Sequence, residues 1–154
     1  MIDDNDLVED ELLLHNYDFP SGYQSMAHLD DYMVIPRPID LDMIFHRKSH
    51  HNRLLLRVSW KLGEDNFVSM TFVCDTGAPM FFYLGEKGRV ALASRVNLDD
   101  LQNEYVEIDG RKALISETPS KHRPANIIGL LMLSRLGLRL DETGYHLDTC
   151  PKYF

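Results

Sequence analysis

The sequence predicts a mainly β domain with one short helix near its C-terminal end, and three patterns carry this prediction. Residues 54–60 and 67–73 are rich in β-branched and aromatic side chains, and the polar stretch between them is typical of a hairpin connection. Residues 104–115 contain two more strand-like runs around an Asp-Gly pair, which is a strong turn signal. Residues 126–138 are leucine-rich and lack proline, and Gly137 is suited to end a helix.

Two finer expectations follow from the same runs. Residues 67–73 do not alternate cleanly between apolar and polar side chains, so we expect this strand to be buried on both faces for part of its length. Residues 139–141 and 145–148 flank a Glu-Thr-Gly turn, which predicts a final hairpin.

The composition bounds the class of protein. A chain of 154 residues with 44% hydrophobic and 26% charged residues suits one folded domain. Its net charge of −8 argues against nucleic acid as a partner, and its apolar runs are far shorter than the roughly 20 residues of a membrane helix. The acidic N-terminus does not resemble a secretion signal, so we expect an intracellular protein in which Cys74 and Cys150 are reduced.

Charge divides the chain into an acidic N-terminal arm with a basic linker, residues 1–53, and a body, residues 54–154. Residues 1–44 hold eleven acidic residues against one basic residue, whereas the remainder of the chain is nearly neutral. The arm also carries apolar residues at helical spacing between residues 7 and 14. Two interpretations remain open, a short amphipathic helix packed on the body and a regulatory or partner-binding arm.

The basic segment 46–53 contains two histidines at a spacing that could hold a metal ion. His46 and His50 are four residues apart, so a helix would place both on one face. No cysteine pair or HExxH pattern accompanies them, and we therefore interpret the segment as an exposed linker and expect no metal site.

The residues with the most chemical content are Asp75-Thr76-Gly77-Ala78, directly after the second predicted strand. A carboxylate on a glycine-containing turn at a strand end is held rigidly, with backbone free to approach a ligand. One carboxylate alone is poorly suited to peptide hydrolysis, because the reaction needs a base that accepts a proton from water and an acid that donates a proton to the amide nitrogen. Two copies meeting at Asp75 would supply both roles, because two close carboxyl groups share one proton.

These four residues resemble the active-site turn of the retroviral aspartic proteases, the retropepsins. Residues 124–129, Pro-Ala-Asn-Ile-Ile-Gly, resemble the segment that closes that fold's ψ-shaped loop beneath the turn, and residues 106–113 resemble the hairpin that follows its flap. Residues 128–137 also resemble the protease-like domain of the eukaryotic DNA-damage-inducible ubiquitin-shuttle proteins. The resemblance covers residues 54–148, close to one subunit of such an enzyme.

The resemblance implies a retropepsin-like closed β-barrel with one short C-terminal helix, assembled as a homodimer. It implies an aspartic endopeptidase that hydrolyses a polypeptide substrate without a cofactor or metal, using water activated between the Asp75 carboxylates of two chains. Thr76 would brace the two active-site turns across the interface. The resemblance also implies that the protein is cytoplasmic, or associated with a virus or retroelement.

The same resemblance assigns contacts to the substrate. Gly77 and Ala78 would offer backbone groups to the bound peptide, and Ala125 and Ile127 would line the pockets beside the scissile bond. Cys74 would face away from Asp75 as a small buried apolar residue.

Three departures from the retroviral pattern accompany the resemblance. Pro79 and Leu130 stand where many members have an acid and an arginine that form ion pairs, which predicts a more apolar dimer interface. The usual glycine-rich flap tip has two candidate positions, residues 85–88 and residues 90–96. The acidic arm has no counterpart in the minimal retroviral enzyme.

Three alternatives to the homodimeric enzyme remain open. The chain could be a weakly active or inactive retropepsin-fold module that dimerises or binds protein. It could be a monomer in which Asp99 or Asp148 completes the carboxylate pair. In the plainest interpretation, Asp75 is an ordinary turn residue and residues 127–133 are core.

Overall fold

A computed structural model describes residues 30–48, 51–93, 105–119 and 124–154. The predicted amphipathic helix of the arm, between residues 7 and 14, lies outside the described residues. The described part is mainly β, as predicted. Its elements, in chain order, are β1 (Val34–Ile35), β2 (Asp42–Lys48), β3 (His51–Gly63), β4 (Asn66–Cys74), β5 (Phe82–Leu84), α1 (Glu86–Leu92), β6 (Tyr105–Ile108), β7 (Arg111–Glu117), β8 (Ile127–Ile128), α2 (Leu130–Leu136), β9 (Leu138–Asp141) and β10 (Gly144–Leu147).

The β3–β4 hairpin forms the centre of the sheet. Its strands pair antiparallel from Leu55 opposite Val73 to Gly63 opposite Asn66, with an irregularity near the turn. β4 is buried continuously from Phe67 to Val73, so the prediction of a strand buried on both faces is confirmed. Because its edges and faces are both covered, β4 offers a rigid base for the residues that follow it.

The main sheet is mixed and open. Its strand order is β2-β3-β4-β8-β5-β7-β6, with β1 also paired to β4. β4 and β8 run parallel, as do β5 and β7, whereas the other pairs are antiparallel. Among the described strands no pairing joins β2 to β6, so the expectation of a closed barrel is wrong. The middle of the sheet depends on pairings of two or three residues.

The described residues of the basic segment, 46–48 and 51–53, lie in strands of the sheet, whereas an exposed linker was expected. β2 and β3 pair antiparallel from Asp42 opposite Arg57 to Lys48 opposite His51. Leu55 is the first residue of β3 that pairs with β4, and toward the N-terminus β3 continues to His51 paired with β2 alone. The sheet therefore crosses the predicted boundary between residues 53 and 54. The basic and polar composition of residues 46–53 had hidden this strand, because a strand edge can carry charged residues wherever one side faces water.

Two apolar clusters lie on the sheet. The main core includes Trp60, Phe72 and Phe82, whose rings pack at 5.1–5.9 Å between centroids. It extends to both helices and to Phe154, which is 2% exposed and packs against the same rings. A smaller cluster contains Leu55, Val73, Ala125 and Ile127, with Ala78 and Tyr83 partly exposed beside it.

The predicted C-terminal helix is confirmed as α2. It ends at Gly137, which has the left-handed conformation (φ 69°, ψ 48°) and donates its N–H to the carbonyls of Leu133 and Ser134. The predicted final hairpin is also confirmed, with β9 and β10 paired as a separate two-stranded sheet.

Helix α1 was not predicted. It covers residues 86–92, so residues 85–88 do not form a flap tip, and the alternative flap at 90–96 begins inside the same helix and ends outside the described residues. Glu86 in its first turn and Arg89 in its last suit the helix dipole, and the two buried residues Gly88 and Leu92 are one turn apart. Neither α1 nor α2, of seven residues each, has the length to cross a membrane.

Candidate functional site

Asp75 lies at the end of β4 on a turn fixed by hydrogen bonds. Its backbone N–H donates to the carbonyl of Ile128 at 3.0 Å, and its carbonyl accepts from the Ala78 N–H at 3.2 Å. The carboxylate oxygen Oδ1 accepts from the Gly77 N–H at 2.9 Å, which closes a tight Asx turn. The Asp75 side chain is thus partly exposed but held in one orientation by the Gly77 N–H.

Strand β8 lies directly beneath this turn, between β4 and β5. It pairs parallel with Val73–Cys74 on one side and antiparallel with Phe82–Tyr83 on the other. The connection from β4 to β5, residues 75–81, therefore passes over the end of β8. The resemblance implied that residues 124–129 lie beneath the turn; in the structure the Ile128 carbonyl of this segment accepts the Asp75 N–H.

The connection is fastened to the start of α2 by three backbone hydrogen bonds. Gly129 N–H donates to the carbonyl of Phe81 at 2.9 Å, and the next two amides donate to the carbonyls of Ala78 at 2.7 Å and Met80 at 3.3 Å. The approach is so close that a Cβ at Gly129 would lie 2.2 Å from the Met80 oxygen and 2.7 Å from the Ala78 oxygen. Only glycine fits here, and the reason is steric, since its φ of −90° is ordinary.

The predicted substrate contacts are brought close to Asp75, but most are engaged within the chain. Ala125 and Ile127 are 0% and 3% exposed, inside the small apolar cluster. The Ala78 N–H and carbonyl both make internal hydrogen bonds, as does the Gly77 N–H. The surface next to Asp75 is therefore formed by the exposed Thr76 and Gly77 and by the partly exposed parts of Ala78.

Cys74 packs against the main core, whereas its neighbour Val73 packs in the small cluster on the other face. Burial, and then the nearby charge of Asp75, raise the pKa of the Cys74 thiol to about 12. The thiol is therefore protonated at physiological pH. The side chain is partly buried against the main core, where a small buried apolar residue was expected.

An apolar surface adjoins the turn. Leu130 and Leu131, at the start of α2, are 44% and 43% exposed, and Pro79 is exposed beside them. Pro79 and Leu130 are the two positions where many retroviral members have the ion-pairing acid and arginine. Leucine side chains this open are candidates for contact with another surface.

The single-chain alternative for the carboxylate pair finds no support at Asp148. Its N–H donates to the Gly137 carbonyl at 3.3 Å, and its carboxylate accepts from Arg139 at 3.1 Å. It therefore lies at the C-terminal end of α2, about 10 Å of helix away from the end that contacts the Asp75 turn. Asp99 lies outside the described residues.

A cavity of about 590 Å³ lies between the end of β3, the turn after β6 and the C-terminal residues 151–154, and Asp75 does not line it. Two smaller cavities also exclude the Asp75 turn from their walls. Among the described residues no group of three or more histidine, cysteine or acidic side chains could hold a metal ion, and the side chains of His46 and His50 fall outside that description. None of these three cavities has a residue of the Asp75 turn in its walls.

Two residues near the site were missed from the sequence. Asn126 is fully buried, and its side-chain oxygen accepts from the Gly85 N–H at 2.9 Å while its Nδ2 donates to the Tyr32 hydroxyl at 2.8 Å. A polar residue inside the apolar run 124–133 was the available signal for Asn126. No local signal in the acidic arm distinguished Tyr32.

Comparison with known proteins adds no relative. The chain matches no protein-family model, no curated protein and no solved structure. The function must therefore be inferred from the residues and geometry of the Asp75 turn.

Proposed function

We propose that this protein is an aspartic endopeptidase of the retropepsin type, active as a homodimer in which the Asp75 carboxylates of two chains meet. The observation that carries the proposal is the Asp75 turn itself. A partly exposed carboxylate follows a buried strand, accepts the Gly77 N–H, and has its own backbone fastened to β8. Such fixing is what an acid–base group needs, because its geometry must not relax during proton transfer.

The mechanism requires two carboxylates and one proton. Two like charges in close contact cannot both ionise, so the pair holds one proton between them at mildly acidic pH. The ionised carboxylate accepts a proton from water as the water oxygen attacks the scissile carbonyl. The protonated partner then gives its proton to the amide nitrogen as the C–N bond breaks, and no enzyme group becomes covalently attached.

The apolar surface beside the turn supports a second copy as the partner. Pro79, Leu130 and Leu131 flank Asp75, so burying them against a two-fold related surface would bring the two turns together. The substrate is then an extended polypeptide whose backbone pairs with the cleft and whose apolar side chains contact Ala78, which is partly exposed.

A second candidate function is a retropepsin-fold module that dimerises or binds protein with little or no catalysis. The observation that favours it is helix α1, which occupies residues 86–92 where a flap tip was expected. A site without a cover over the peptide excludes water poorly and holds substrate weakly. Both candidate functions allow the same homodimer, and they differ in whether that dimer cleaves a peptide substrate.

Cleavage of an unstructured protein between about pH 4 and 6 separates the two candidates. We expect wild-type cleavage that pepstatin inhibits and that Asp75→Asn abolishes. The matched control is Asp109→Asn, the same change at an exposed turn residue with φ 51°, which asparagine tolerates. Equal inactivity of wild type and Asp75→Asn, in samples shown to be dimeric, would favour the binding module.

A mixing experiment tests whether the two carboxylates come from different chains. Wild type and Asp75→Asn are unfolded together and refolded at several ratios. If each active site needs both chains, activity falls with the square of the wild-type fraction, because mixed dimers are inactive. A linear fall would contradict the shared site, and a monomer by ultracentrifugation with retained activity would do so directly.

A further inference from the structure

Residues 30–35, within the acidic arm, lie along the same edge of β4 that leads to Asp75. Val34 and Ile35 pair with Val68 and Phe67 as β1. Tyr32 N–H donates to the Ser69 carbonyl at 2.9 Å, and the Asp31 carboxylate accepts from the Thr71 N–H at 3.0 Å. We call residues 30–35 the edge segment.

The ladder along this edge continues without a break into the candidate site. After Thr71, the Val73 N–H donates to the Asn126 carbonyl at 2.8 Å, and the Asp75 N–H donates to the Ile128 carbonyl at 3.0 Å. Alternate residues of a strand direct their backbone groups to the same side, so residues 67, 69, 71, 73 and 75 all face this edge. The edge segment holds its first half, and residues 126–128 hold its second half.

Asn126 joins the two halves. Its Nδ2 donates to the Tyr32 hydroxyl at 2.8 Å, its Oδ1 accepts from Gly85 N–H, and its carbonyl accepts from Val73 N–H. Helix α1 is pressed onto the same amide, since a Cβ at Gly88 would lie 2.4 Å from the Asn126 Oδ1. The Asn126 amide is buried, hydrogen-bonded and closely surrounded, so it is held in one position. Asn126 therefore fixes Ile128, two residues later in the chain.

The backbone of Tyr32 supports the same interpretation. Its φ of 70° is in the left-handed region, which a bulky side chain rarely adopts. Such a conformation persists where surrounding contacts determine it, and here the side chain reaches Asn126 while the N–H reaches Ser69. Asp31 adds a second anchor, with its side chain 1% exposed and near Arg57 at 3.4 Å.

We propose that Tyr32 and Asn126 are positioning residues for Asp75, and that the edge segment is therefore a working part of the site and not a detachable arm. Tyr32 fixes the Asn126 amide, Asn126 fixes the start of β8, and the Ile128 carbonyl fixes the Asp75 amide. The catalytic consequence rests on the proposed protease function, whereas the structural coupling does not.

The test is Tyr32→Phe in the full chain, with Tyr105→Phe as the matched control because Tyr105 is exposed on β6. Amide hydrogen exchange is measured at Val73 and Asp75, and at Ala113 in β7 as a reference for global opening. Loss of the hydroxyl removes an acceptor from a buried amide, so we expect exchange at Val73 and Asp75 to rise about tenfold relative to Ala113. Tyr105→Phe should leave all three unchanged.

Cleavage provides the second readout. In Tyr32→Phe we expect kcat to fall about tenfold with little change in KM, because the misplaced group acts in the transition state and not in binding. Equal acceleration at all three amides, or unchanged exchange at Val73 and Asp75, overturns the inference. If wild type does not cleave at all, the protease proposal fails, and the exchange ratio alone still decides whether the edge segment positions Asp75.

Discussion

Replacing Gly129 with alanine tests how tightly the Asp75 turn is fastened to the segment beneath it. The backbone of Gly129 is ordinary, with φ −90° and ψ 177°, so alanine meets no conformational strain. The added Cβ would instead lie 2.2 Å and 2.7 Å from two backbone oxygens, those of Met80 and Ala78. Neither oxygen belongs to a flexible side chain, and the whole connection over β8 must therefore move.

The size of the effect follows from what that movement breaks. Overpacking costs about 1–3 kcal/mol, and weakening the hydrogen bonds from Leu130 to Ala78 and from Leu131 to Met80 adds about 1 kcal/mol each. We therefore expect Gly129→Ala to lower the free energy of unfolding by about 3–5 kcal/mol. For a domain of this size the melting temperature would fall by about 6–20 °C.

Two other glycines supply the controls in the same thermal unfolding assay. Gly110 has φ 74° and open space around it, so alanine there costs only backbone strain, about 1–2 kcal/mol. Gly63 has neither problem, since the nearest atom to an added Cβ is 4.0 Å away, and alanine should be near neutral. A melting temperature for Gly129→Ala no lower than that for Gly110→Ala would refute the tight fastening of the turn.

Two further expectations concern the ends of the core. Phe154→Ala should cost about 3–5 kcal/mol in urea unfolding because the ring is 2% exposed, whereas Tyr153→Ala, 39% exposed, should cost much less; equal losses would contradict the packing. With iodoacetamide near pH 8, Cys150 should be alkylated in the folded protein and Cys74 only after denaturation, because burial raises the Cys74 pKa to about 12. Equal labelling of both thiols by mass spectrometry would show that Cys74 is open.

The elements that could be predicted are those whose signal is local. The turn of the β6–β7 hairpin contains Asp109 and Gly110, both with positive φ, and such a pair specifies a tight hairpin by itself. Gly137 ends α2 with the same kind of local requirement. The β3–β4 hairpin is also local, since its two strands are adjacent in the chain and strongly β-forming.

Helix α1 could not be predicted because its cause is not local. A seven-residue segment with a glycine in its middle is a poor helix on its own. Gly88 is needed because Asn126, distant in the chain, occupies the space where a side chain would be. The same glycine pattern was interpreted as a flap tip, since glycine signals either a mobile turn or a close approach and only the partner distinguishes them.

The candidate site divides in the same way. The Asp75 turn and the residues beneath it were recognisable as short motifs, because an Asx turn and a glycine against backbone each involve few residues. The edge segment was assigned to the arm because charge is counted over a long window, and residues 1–44 are strongly acidic. A sheet edge is built from single hydrogen bonds, however, and one buried Asp31 and one Tyr32 are enough to attach this part of the window to β4. Composition therefore located the arm, but only the register of β4 shows that residues 30–35 pair with the strand that leads to Asp75.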